Sequence, residues 1–131
     1  MTSSSRLLPE LVTKTLSCVA FVADYLQLNF NGPRLSCYAW PVVVADEQPL
    51  HFGDSGYRDA LCSLLMREVT AASDTVDRGI SLAFGDSEVR LKPSLDELVG
   101  PEIAMLQMNN EAREWEVWRP GEGSFARQSG S

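Results

Sequence analysis

Two stretches of this chain, 53 residues apart, carry residue classes in the same order. Leu11-Val12-Thr13-Lys14-Thr15-Leu16 lies over Leu64-Leu65-Met66-Arg67-Glu68-Val69: two apolar residues, a basic residue in fourth place, and an apolar β-former at the end. At an offset of 54 the match continues. Leu26-Gln27-Leu28-Asn29-Phe30-Asn31-Gly32 lies over Ile80-Ser81-Leu82-Ala83-Phe84-Gly85-Asp86, then Leu35 over Val89 and Cys37 over Leu91. Such a repeat constrains a fold strongly, because one unit buries its apolar side only by packing against another. A partial third copy starts at Leu98-Val99-Gly100-Pro101-Glu102-Ile103, with Trp115–Trp118 as its later strand.

Within each copy the pattern reads as a helical turn followed by strands. Leu26, Leu28 and Phe30 alternate with Gln27 and Asn29, and Ile80, Leu82 and Phe84 alternate with Ser81 and Ala83, as half-buried strands require. Asn31-Gly32 is a hairpin turn in which both residues tolerate positive φ; Gly85-Asp86 takes that place in the second copy. The main helix is expected over residues 56–68, capped by Asp54 or Ser55, with Tyr57, Leu61, Leu64 and Leu65 on one buried face. Shorter helices are expected at 9–15, with Pro9 in the first turn, and at 94–99, where Ser94 and Glu97 form a capping box. The fold class is therefore α+β: antiparallel sheet or sheets of short meander strands, one main helix, short flanking helices and an internal αβββ-type repeat. One domain spans residues 1–127, with repeat units at about 9–44 and 56–92 and the partial third at about 94–119; residues 128–131 are expected to form a disordered tail.

Eighteen acidic against eleven basic residues give a net charge of −7. Nucleic acid and anionic membrane surfaces are excluded as partners on this ground, since both need a positive surface. No apolar run approaches the roughly 20 residues of a membrane span, and Met1–Arg6 is followed by no apolar core of a signal peptide. The expectation is a cytoplasmic protein with reduced thiols at Cys18, Cys37 and Cys62. One histidine and three scattered cysteines supply no usual ligand set, so no metal and no cofactor is expected.

Chemistry-bearing residues are few. His51 is the one side chain with an ordinary titration near neutrality. Asp54 and Asp59 could orient it, and Cys62 could serve as nucleophile. Cys62 lies too deep in its helix for activation by the N-terminus, and reads as a small core residue. Asp24 and its counterpart Asp77 read as turn residues. Phe52-Gly53-Asp54-Ser55-Gly56 lacks the lysine of a phosphate loop and reads as a helix cap. Trp40-Pro41 reads as core. Residues 96–122 combine a net charge of −5 with two tryptophans. Alternation there puts one tryptophan in the core and the other toward the surface. Glu111, Glu114, Glu116 and Trp118 are the candidate partner-binding residues, acids to speed encounter and an aromatic to hold it.

In size, acidity and lack of catalytic residues the chain resembles the immunity proteins that bacteria pair with secreted toxins, a broad class carried by no single motif. The functional expectation is a non-enzymatic acidic binding protein, of this toxin-neutralising type, whose partner is a basic protein. The alternatives are a structural or accessory domain, and a small hydrolase or ligand-binding protein using His51.

Overall fold

A computed structural model describes residues 5–75, 79–98 and 101–120, leaving out the side chain of Leu95. It is built of ten antiparallel strands in two five-stranded sheets with one short helix. The strands are β1 (Cys18–Val22), β2 (Tyr25–Asn29), β3 (Arg34–Cys37), β4 (Val42–Ala45), β5 (Gln48–Leu50), β6 (Ala71–Thr75), β7 (Gly79–Phe84), β8 (Ser87–Leu91), β9 (Ala104–Gln107) and β10 (Trp115–Trp118); α1 is Tyr57–Cys62. The first sheet runs β1-β2-β3-β9-β10 and the second β5-β4-β8-β7-β6. Each is thus a three-stranded meander extended by a hairpin from elsewhere in the chain. The hairpin that follows β3 joins β8, and the hairpin that follows β8 joins β3.

The period-two pattern explains the meanders. Leu26, Leu28 and Phe30 from one, and Ile80, Leu82 and Phe84 from the other, are almost completely buried and share one core with Leu35, Val43, Val89, Leu91 and Leu106. Cys18 pairs with Asn29 and Leu26 with Cys37 in the first sheet; Ala71 pairs with Ala83 and Ile80 with Leu91 in the second. Asn31 and Gly32 take φ of 54° and 131°, and Gly85 takes 74°. The segments leading into the meanders cross each other. Thr15 and Glu68 form an isolated bridge, with Thr13 N–H donating to Val69 O (2.9 Å) and Met66 N–H to Leu16 O (2.7 Å).

Several helical expectations change. The main helix is six residues long, Tyr57–Cys62, rather than 56–68. Leu64 and Leu65 continue as tight turns onto Leu61 and Cys62, and Met66 at φ 70° reverses the chain. This reversal lets Arg67 and Val69 pair with Lys14 and Leu16, a tertiary demand that overrides helix propensity. Leu65 and Cys62 are consequently exposed, while Tyr57, Leu61 and Leu64 are buried. The segments expected as helices at 9–15 and 94–99 are single 3-10 turns, Leu8–Leu11 and Leu95–Glu97. Pro9 does sit in the first turn, and Glu97 does accept from Ser94 N–H (2.7 Å). Val99, Gly100, Asp77 and residues 128–131 lie outside the described residues.

Candidate functional site: an exposed aromatic stack

The loop between β5 and α1 sets the geometry. Gly53 and Gly56 hold φ of 96° and 87°, the left-handed region that suits glycine. Gly56 is the N-cap of α1, with no side-chain cap bond. Asp54, expected to cap the helix, faces the other way: its carboxylate accepts the His51 N–H (2.8 Å), and its own N–H donates to His51 O (2.9 Å). The loop is closed on itself, and Phe52 is left at its tip, 46% exposed.

Phe52 is the centre of an aromatic cluster. Its ring stacks on Trp40 at 4.2 Å between centroids and 14° between planes. Trp40 in turn stacks on Phe21 of β1 at 6.2 Å. Tyr57 meets Phe52 edge-on at 5.9 Å and donates from its buried hydroxyl to Pro41 O (2.5 Å), pinning α1 to the entry of β4. The guanidinium of Arg58 lies 4.8 Å from the centre of the Phe21 ring and 5.9 Å from that of Phe52, within cation–π range. Trp40 is half-buried rather than core, while Pro41 is buried, and the two precede β4.

Two shallow cavities flank Phe52. One, about 310 Å³, is lined by Phe52, Asp54, Tyr57, Arg58 and Asp59 with the loop glycines. The other, about 300 Å³, is lined by Trp40, Pro41, Val42, His51, Phe52 and Glu97. The arrangement offers an apolar plate with a carboxylate rim on both sides. It assembles no nucleophile and base: neither cavity holds His51 together with Asp59 or Cys62, and His51 Nδ1 stands 3.6 Å from Asp54 Oδ2. Burial pushes the Tyr57 phenol well up, and lifts the Cys37 thiol to about 12, so neither yields an anion near neutral pH. Among the described residues no three His, Cys, Asp or Glu side chains cluster as metal ligands.

The C-terminal candidates sit on another part of the molecule and are mostly engaged. Trp118 is 6% exposed, and its indole N–H donates to the buried Asp74 carboxylate (2.9 Å). Trp115 is the exposed member of the pair, at 60%. Glu116 accepts the N–H groups of Arg6 (3.0 Å) and Leu7 (3.2 Å) and the hydroxyl of Ser5. Glu114 pairs with Arg6 at 2.5 Å and accepts from Asn110. Of the three acids Glu111 is exposed, and Glu114 and Glu116 are half-buried. Glu114 and Glu116 tie the N-terminal segment to the β9–β10 hairpin, and Trp118 is closed in against Asp74 of β6.

The hydrogen bond from Arg6, then that from Asn110, holds the Glu114 carboxyl below the ordinary glutamate range. A depressed folded-state value means its contribution is full above the unfolded value and disappears as pH falls through the folded one. On acidification through that window the Arg6 side chain loses its anchor on Glu114, and amide exchange at Arg6 and Leu7, taken relative to its intrinsic rate at each pH, should accelerate before that of the central sheet amides. Glu114→Gln should show the faster exchange already at neutral pH, with a smaller response to acid.

One feature of the sequence marks the aromatic site. A phenylalanine inside a Gly/Asp/Ser loop has no core to enter, so Phe52 is displayed by its neighbours. Comparison with known protein families, with curated proteins and with solved structures found no match for this chain.

Proposed function

We propose that the chain is a non-enzymatic binding protein whose contact face is the Trp40–Phe52–Arg58 cluster, and that its partner is a basic protein. The exposed Phe52 stack carries this reading. A large aromatic left 46% exposed on a rigid platform, beside an arginine, has the composition of an interface anchor. Asp54, Asp59 and Glu97 rim the cavities on its two sides, which suits a partner segment with an apolar residue next to a lysine or arginine. Toxin neutralisation is the specific form this binding takes in our reading, resting on size and acidity alone.

In the same reading the two sheets are copies of one unit, and the site is where the copies have diverged. The cross-bridge supports this: Thr13 and Met66 both have positive φ, and the bonds Thr13 to Val69 and Met66 to Leu16 exchange under the offset of 53. Ser17 and Thr70 each donate N–H and hydroxyl to the second strand of their meander, at Asn29 O and Ala83 O. The same offset carries Ser5 onto Arg58 and Phe21 onto Asp74. In one copy Ser5 N–H and the Trp118 indole close on the Asp74 carboxylate. In the other, Arg58 lies over Phe21 and Phe52, and the cluster stays open. A purely structural need would be met alike in both places. The β9–β10 hairpin then matches β4–β5 in its sheet position rather than forming a third unit.

A second reading, a small-ligand pocket at His51, is favoured by the cavity it lines. Affinity capture from the native host with the wild-type chain and a Phe52→Ala variant tests the proposal. Loss of a basic protein from the variant's captured set supports it; identical sets refute it.

A further inference from the structure

Of the seven arginines in the described residues, four pair with carboxylates: Arg6, Arg67, Arg90 and Arg119. Arg58 lies on aromatic rings. Arg34 and Arg113 have neither kind of partner among the described residues, although the chain carries a net charge of −7. Both line one cavity of about 420 Å³, together with Gln107, Asn109, Met108 and Gly32.

The sheet brings these residues together. Arg34 on β3 is directly opposite Gln107 on β9, and directly opposed residues put their side chains on the same face. Gln107 is likewise opposite Trp115 of β10. Arg113 approaches from the β9–β10 loop, where its N–H bonds Asn110 O (3.0 Å). Asn109 lies against the turn at Gly32. Among the described residues no carboxylate lines the cavity. Glu114, next to Arg113 in sequence, spends its carboxylate on Arg6 and Asn110.

We infer that this cavity binds a phosphate group. Two guanidinium groups and two side-chain amides surround it with donors, and a phosphate offers several oxygens to satisfy them. Arginine forks match such oxygens in pairs, which a single lysine would not. The cavity shares no lining residue with the aromatic stack or with the cavities beside it, so a phosphate ligand here is separate from the protein partner proposed above.

The test is a titration of the full chain with inorganic phosphate, followed by NMR and compared with acetate and chloride at matched ionic strength. Saturable shifts at Asn109, Gln107 and the Trp115 indole with phosphate, weakened at least tenfold in Arg34→Gln and in Arg113→Gln, support the inference. Both positions are exposed, so the variants should keep the wild-type spectrum elsewhere. A lack of saturable shifts with millimolar phosphate overturns it. So do shifts matched by acetate or chloride, which mark general anion screening, and shifts that persist unchanged in both variants.

Discussion

Trp118→Ala should destabilise the fold by about 3–5 kcal/mol, the usual cost of removing a large aromatic from a core, while Trp115→Ala should stay within about 0.5 kcal/mol, as exposed positions do. The asymmetry follows from placement. Trp118 is buried and hydrogen-bonded to Asp74, which itself is only 2% exposed and also accepts the Ser5 N–H (2.8 Å). Truncation opens a cavity and takes a donor from a buried carboxylate, and both effects act in the same direction. Trp118→Phe separates them. It keeps most of the volume and loses the donor, so it should cost about 1–3 kcal/mol, the range for an interaction lost from a buried polar group. Urea unfolding of the three variants measures all of this. Equal costs at positions 115 and 118 would contradict the assigned burial.

Phe52→Ala should cost partner affinity about 30-fold or more, which is the hot-spot threshold of about 2 kcal/mol. Its effect on stability should be small, because the ring stays 46% exposed despite its contacts with Trp40, Tyr57 and Arg58. The loss should appear mainly in the off-rate, since a desolvated aromatic acts once the complex has formed. Asp59→Asn, at the rim of the adjoining cavity, should instead slow association and flatten its salt dependence. Surface plasmon resonance at two ionic strengths distinguishes these outcomes. Phe52→Ala binding as the wild type does would remove the aromatic stack from the interface.

The parts of the fold that were legible in the sequence are those specified by neighbours in the chain. Leu26, Leu28 and Phe30 point inward because alternation with Gln27 and Asn29 leaves them no other face, and Asn31-Gly32 turns because both residues accept positive φ. What failed was decided at long range. The stripe from Tyr57 to Leu65 is helical in period, yet the helix stops at Cys62 because residues 66–69 are needed to pair with 13–16. The exchange of hairpins between sheets has no local signature either. Val43 pairs with Val89 and Leu35 with Leu106, contacts between apolar residues that many other registers would satisfy.

The same division applies to the site. Alternation sets Trp115 and Trp118 on opposite faces, but which of them faces the core depends on Asp74, 44 residues away from Trp118. Glu114 and Glu116 looked available because acids usually face solvent; their partners, Arg6 and the amides beside it, are about 110 residues earlier in the chain. Trp40, Phe52 and Arg58 come together only through the loop that follows β5, so the glycines around Phe52 mark a displayed ring without indicating what it stacks on.

A photo-crosslinking amino acid placed at position 52, and in separate samples at positions 111 and 115, tests most directly where this protein binds. In cells that natively express the chain, irradiation should join position 52 to a basic protein and should give little or no adduct from 111 or 115. Adducts from 111 or 115 with none from 52 would contradict the account and move the binding face to the acidic end of β10.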